Sequence, residues 1–171
     1  IPAEPWIVFT AGVMGAGKTH TIRQLHANGQ FPLESFVTVD PDEIRRLLPE
    51  FPVYVETCPE RAAELTRKEA GMIAEILTEA ALERGQNVLV DGSLRDNAWY
   101  QNYFTTLRHA FPTLKLGIIH VTAPVDAILG RVEVRSAGRR PRSLRRLDDP
   151  AANTLFWYVT QQRAKTTGRV V

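Results

Sequence analysis

The chain has a single cysteine, Cys58, so no internal disulfide can form. That excludes a disulfide-stapled secreted domain and leads us to expect a reducing, cytoplasmic compartment. A lone cysteine can also be a nucleophile, but Cys58 lies between Thr57 and Pro59 with no obvious basic partner. We read it as a helix-start or core residue. No apolar run reaches the length of a membrane span, and no leader pattern opens the sequence. The four histidines, His20, His26, His109 and His120, lack the spacing of a metal set. Repeats, low-complexity tracts and long linkers are absent too. Net charge is only +2, but it is unevenly placed, and a local excess of arginine suggests an anionic partner. What is present is ordinary globular composition in 171 residues, enough for one domain with a real core, taken as residues 1–171.

Against that background residues 12–19 stand out. They read Gly-Val-Met-Gly-Ala-Gly-Lys-Thr, a full match to G-x-x-x-x-G-K-[ST]. The apolar run Trp6-Ile7-Val8-Phe9 precedes them, and Thr21–Leu25 follows with helical spacing. A strand, a glycine loop and a helix are the context this motif requires. Gly12, Gly15, Ala16 and Gly17 would turn main-chain N–H groups inward around phosphate oxygens, at the positive end of the next helix. Lys18 would reach the β- and γ-phosphates, and Thr19 would offer its hydroxyl to Mg²⁺. His20 follows the loop and could pack beside the nucleotide, although a structural histidine is the commoner case.

The remaining pattern alternates strand and helix. Strands are expected at about 6–11, 36–39, 87–90 and 116–121. Asp40 is a natural N-cap, with Pro41 at the first position of a short helix that ends by Pro49. Residues 51–57 read as irregular. A long helix is expected from about 59 to 84, with Leu65, Met72, Ile73, Ile76, Leu77, Ala80 and Ala81 as its apolar stripe and Gly85 as its stop. Further helices are expected at about 97–110, 125–136 and 150–165, and a last strand near 169–171. Trp99, Phe156, Trp157 and Tyr158 read as core rather than as base-stacking platforms. The fold class that follows is α/β: a three-layer P-loop NTPase/kinase fold with a mostly parallel sheet and helices on both faces.

In such sheets ligands sit outside the carboxyl ends of the strands. That rule gathers the Gly loop, Asp40 and Asp42, and Asp91, Ser93 and Arg95 at one crevice. The guanine-reading Asn-Lys-x-Asp sequence of a GTPase is missing, as is the long apolar run ending in Asp-Glu of a motor ATPase. A small-molecule kinase needs less: a base beside the acceptor hydroxyl, Mg²⁺, and cations over the transferring phosphoryl group. Asp42, at a helix start where negative charge is favoured, is the candidate base, though an ordinary helix-start acid looks the same. Asp91 could hold Mg²⁺ through water or bind a substrate hydroxyl. Residues 131–146 hold seven arginines and one acid. Arg131 and Arg135 share a helix face, and with Arg139 and Arg140 they could close over phosphates. A solvated basic surface is the plainer alternative.

Three stretches together resemble the zeta-toxin family of P-loop kinases over roughly residues 6–140: the loop Gly12–Thr19; Val37–Arg45 with Leu48-Pro49-Glu50-Phe51; and Leu89-Val90-Asp91-Gly92-Ser93-Leu94-Arg95. The resemblance implies that Lys18 and Thr19 serve ATP and Mg²⁺, and that Asp42 activates the acceptor hydroxyl. It implies that Asp91, Ser93 and Arg95 bind the acceptor, and that arginines after the fourth strand meet the transferring phosphate. Bacterial members of the family phosphorylate the sugar 3′-hydroxyl of UDP-N-acetylglucosamine and are restrained by a small antitoxin. A nucleotide-type acceptor and an inhibitory antitoxin-like partner are therefore expected here. Asp91 is one carbon shorter than the family's glutamate, and Ser93 replaces its threonine.

Two other functions compete with this one. A polynucleotide 5′-hydroxyl kinase would use the arginine-rich stretch as a backbone groove, but that stretch lacks interleaved aromatics, which disfavours nucleic acid. A non-catalytic nucleotide-binding module for a protein partner would not need acids at the ends of the second and third strands.

Overall fold

The computed structural model describes residues 4–129. Four strands form one parallel sheet: β1 (Trp6–Ala11), β2 (Phe36–Val39), β3 (Asn87–Val90) and β4 (Lys115–His120), in the order β2-β3-β1-β4. Ile7 pairs with Val88 and Leu116, and Val39 with Val90, so the four carboxyl ends open on one side. The helices are α1 (Lys18–Ala27), α2 (Pro41–Leu47), α3 (Phe51–Thr57), α4 (Ala62–Leu65), α5 (Arg67–Glu83) and α6 (Asn97–Ala110). Residues 125–129 begin another.

Strand alternation explains the layers. Ile7, Phe9, Ala11, Val88 and Val90 point to one face, where Ala74, Ala81 and Leu82 of α5 and Tyr103, Phe104 and Leu107 of α6 cover them. Val8 and Leu89 point to the other face, where Ile22 of α1 meets them. Both faces are covered, as a parallel sheet requires, so the three-layer α/β expectation holds. The chain leaves β1 toward the β2 edge and later leaves β3 toward β4. The order therefore reverses beside β1, which marks a crevice at its carboxyl end.

The expected strands agree to within a residue, and so do the helix after Asp40 and the one at 97–110. Four readings do not hold. The long helix is broken at Thr66, a fully buried residue whose hydroxyl donates back to Ala62 O at 2.8 Å, leaving the short α4 before α5. Its apolar stripe is also misplaced. The sheet-facing side of α5 is Ala70, Ala74, Thr78, Ala81 and Leu82, whereas Met72 and Ile76 are 57% and 58% exposed. Small side chains let the helix approach a sheet already filled by Phe9, Ile7 and Val90, and apolar bulk does not report that. Residues 51–57 are helical, with Pro52 in the first turn. Trp99, expected in the core, is instead 39% exposed, stacked on Tyr103 with ring centroids 4.8 Å apart. The expected elements at 150–165 and 169–171, and Phe156, Trp157 and Tyr158, lie outside the described residues.

Candidate active site at the strand ends

The loop after β1 is shaped by its glycines. Gly12, Gly15 and Gly17 have φ of 134°, 89° and 96°, a region that side-chain-bearing residues rarely occupy. At Gly12 a Cβ would stand 2.3 Å from the carbonyl oxygen of Val121, the residue just beyond β4. The loop is thus pressed against the neighbouring strand end, with Ala16 buried inside it. Gly17 is the left-handed N-cap of α1. No side chain caps that end and no acid stands in its first turn. The first-turn N–H groups and the positive end of the helix dipole are left to favour an anion. Lys18 bends back along the loop and donates to Gly12 O at 2.9 Å and Val13 O at 3.3 Å, which holds its ammonium at the loop mouth. Thr19 and His20 are exposed on the first turn of α1.

The end of β3 meets this loop through Asp91. Its Oδ2 lies 3.5 Å from the Thr19 hydroxyl. Its Oδ1 accepts from the Thr10 hydroxyl at 2.7 Å. Thr10 is 1% exposed in the middle of the sheet and also accepts from the Gly92 N–H at 2.9 Å. Val8 and Thr10, like Leu89 and Asp91, alternate onto the α1 face, so the register itself aims these groups at Thr19. The sequence reading missed Thr10. The available signal was a polar residue inside an apolar strand, two positions before the loop.

After β2, Asp40 accepts from the N–H groups of Asp42 and Glu43 at 2.8 and 3.4 Å, capping α2 as expected. Burial raises the Asp40 carboxyl above its ordinary range; these two main-chain bonds pull it down, and the charges of Asp91 and Asp42 push it up again. The Asp40 carboxyl therefore feels one acid from its own helix start and one from the neighbouring strand end. The Asp42 side chain is 67% exposed and receives the Arg45 guanidinium at 2.5 Å. Arg45 is only 16% exposed, and its Nε is buried without a hydrogen-bond partner among the described residues. Arg45 was not among the expected site residues; its i,i+3 spacing from Asp42 was the clue. The main chain of Asp91 donates to Val39 O at 2.9 Å, locking the two strand ends together.

Beyond Asp91, Ser93 and Arg95 are exposed, on either side of the buried Leu94. Leu94 has φ of 50°, the only positive φ outside glycine among the described residues. Such backbone persists only when its surroundings enforce it. Here the buried Leu94 side chain anchors the turn between two outward polar residues. Arg131, Arg135, Arg139 and Arg140 lie outside the described residues.

The donors fit Mg²⁺: a hydroxyl and a carboxylate oxygen, both hard, converge at the mouth of a phosphate-type loop. No set of three or more Asp, Glu, His or Cys gathers to form an all-protein metal cage among the described residues. Mg²⁺ bound alongside substrate phosphates commonly keeps waters and few protein ligands. No helix of the described residues is long and apolar enough to cross a membrane.

Comparison with known proteins bears on the fold and the family. Among solved structures, a chain from the PezAT chromosomal toxin–antitoxin system of Streptococcus pneumoniae superposes with a TM-score of 0.61 at 24% identity. The match covers 78% of this chain and 54% of that one, so the present chain spans about half its length. A candidate kinase from Chloroflexus aurantiacus gives 0.61 at 15% identity, over 97% of this chain and 100% of the other. A chain of the Pnkp1/Rnl/Hen1 RNA repair complex gives 0.56 at 15%, over 94% and 47%. These likenesses establish a P-loop kinase-like fold. Among curated proteins no sequence matches. The zeta toxin family model matches residues 2–146, most of the chain, and the protein belongs to the zeta toxin family.

Proposed function

We propose that this protein is an ATP- and Mg²⁺-dependent kinase that phosphorylates a hydroxyl of a nucleotide-sugar, of the UDP-N-acetylglucosamine type, or of a related nucleotide metabolite. The observation that carries the reading is the meeting of Thr19, Asp91 and Thr10 at the open end of a Lys18-bearing loop, with the acids of α2 beside it. Loop N–H groups and Lys18 would hold the ATP phosphates. Thr19, and Asp91 through water, would hold Mg²⁺, which supplies neutralisation of charge on the phosphate oxygens. Asp42 would accept the proton of the acceptor hydroxyl as its oxygen bonds to the γ-phosphorus and the bond to the ADP oxygen breaks. Arg45 holds the Asp42 carboxylate in one orientation. Ser93 and Arg95, exposed after β3, would bind the acceptor together with Asp40, which also caps α2. Arg131, Arg135, Arg139 and Arg140 are proposed to contact the transferring phosphate and the acceptor.

Asp91 deserves a different weight from the one its family counterpart suggests. Its short side chain is drawn back to Thr10 and Thr19, which favours the metal side of its two expected roles over acceptor binding. The toxin–antitoxin setting named for the pneumococcal neighbour supports an inhibitory protein partner as part of the same proposal. A mixture of ATP and candidate acceptors, followed by mass spectrometry, tests the reading. One acceptor should gain the mass of one phosphate, with ADP formed only in its presence. Acceptor-independent ADP formation, or phosphate gained only by a polynucleotide 5′-end, would overturn it.

A further inference from the structure

We propose that Thr10 is a positioning residue for the metal: its hydroxyl holds the Asp91 carboxylate so that one oxygen is tied inward and the other faces Thr19. This rests on the kinase reading above, and concerns how the chain builds its own metal ligand.

Thr10 has no packing reason to be polar. It is 1% exposed in β1, between β3 and β4, where its neighbours Phe9 and Ala11 are apolar. A buried hydroxyl without partners is costly, and this one is fully used. It has one proton, and the shortest contact, 2.7 Å, leads to the Asp91 carboxylate, where a charge-assisted bond is strongest. Gly92 N–H donates to its lone pair at 2.9 Å, and Gly92 O stands at 3.0 Å as a weaker alternative acceptor. Thr10 therefore grips Asp91 from its side chain and the next peptide at once.

The consequence lies at the other carboxylate oxygen. With Oδ1 held by Thr10, the plane of the carboxylate is favoured in one orientation, which leaves Oδ2 3.5 Å from the Thr19 hydroxyl. Aspartate suits this arrangement because it is short: the same atoms that bring Thr10 within bonding distance keep Oδ2 at the loop. Partners of this outer kind commonly change metal affinity by about 10–100-fold. Thr10 is buried beneath the crevice rather than exposed in it. Its contribution passes wholly through Asp91.

The test uses Mn²⁺ as a spectroscopic stand-in for Mg²⁺, titrated by electron paramagnetic resonance into the protein with ADP and no acceptor. Thr10→Val keeps the shape and removes the hydroxyl, and should weaken Mn²⁺ uptake about tenfold. ADP binding in the presence of a chelator should be unchanged. Thr10→Ser restores the hydroxyl and should restore Mn²⁺ affinity. If Thr10→Val does not fold, Thr10→Ala makes the same comparison with Thr10→Ser. Unaltered Mn²⁺ uptake by the folded variant lacking the hydroxyl would overturn the proposal, as would failure of Thr10→Ser to recover it. Because no acceptor is present, a wrong acceptor cannot mimic either result. Failure of the unmutated protein to take up Mn²⁺ with ADP would instead overturn the kinase reading and this proposal together.

Discussion

At the end of β1 the groups proposed to meet a phosphate are main-chain N–H groups, set by three glycines in the left-handed half of backbone space and clamped against Val121. At the end of β2 the groups proposed to meet an acceptor are side chains: Asp42, two-thirds exposed, and the Arg45 paired with it. One half of the crevice is therefore built by the path of the backbone, the other by replaceable groups on a short helix. The difference teaches where chemistry is fixed and where it is free to vary. In the proposed kinase, phosphate holding would rest on a loop whose backbone leaves little room for change, whereas acceptor choice would rest on exposed side chains, Asp42 after β2 and Ser93 and Arg95 after β3.

That contrast can be broken or sharpened by substitution. Lys18→Ala removes a cation from the transferring phosphate and should lower kcat by about 10³-fold or more, read from single-turnover transfer with an active acceptor. Gly12→Ala should destabilise the fold by about 1–3 kcal/mol, because it adds a clash with Val121 O to an unfavourable φ; denaturant midpoints measure it. A change of similar size is expected inside α5, where Ala74→Leu overpacks the sheet face. Met72→Gln, on the exposed side of the same helix, should change stability by under about 0.5 kcal/mol. If Met72→Gln proved the more damaging, the assignment of the inner face would fail.

Another small effect concerns Asp40. Its carboxyl is raised in the folded protein, so between the ordinary and the raised value the folded state binds more protons than the unfolded one. Stability then falls as pH rises through that window. Asp40→Asn keeps a capping oxygen and removes the charge. It should flatten this part of the pH–stability profile and change stability at neutral pH by less than about 1 kcal/mol. A profile identical to that of the unmutated protein would mean that the carboxyl is not perturbed.

Much of this was legible in the residues because the signals were local. The loop motif, the Asp40 cap followed by Pro41, and four β-branched runs each specify their own structure within a few positions. The α5 stripe was not legible, because which face is buried depends on how bulky the opposing sheet is. Ala70 and Ala74 win that contact over Met72 and Ile76 by being small. Thr10 was missed for a related reason. Its value comes from Asp91, 81 residues away, and only the β1–β3 register reveals it. The helix at 51–57 hid behind prolines that mark a helix start as readily as a loop.

The central claim is that a backbone-built phosphate half faces a side-chain base. Asp42→Asn tests it most directly, with transfer rate and Mn²⁺·ADP binding measured on the same sample. The rate should fall by about 10²–10⁴-fold while binding stays as in the unmutated protein. Full transfer activity in that variant would contradict the account.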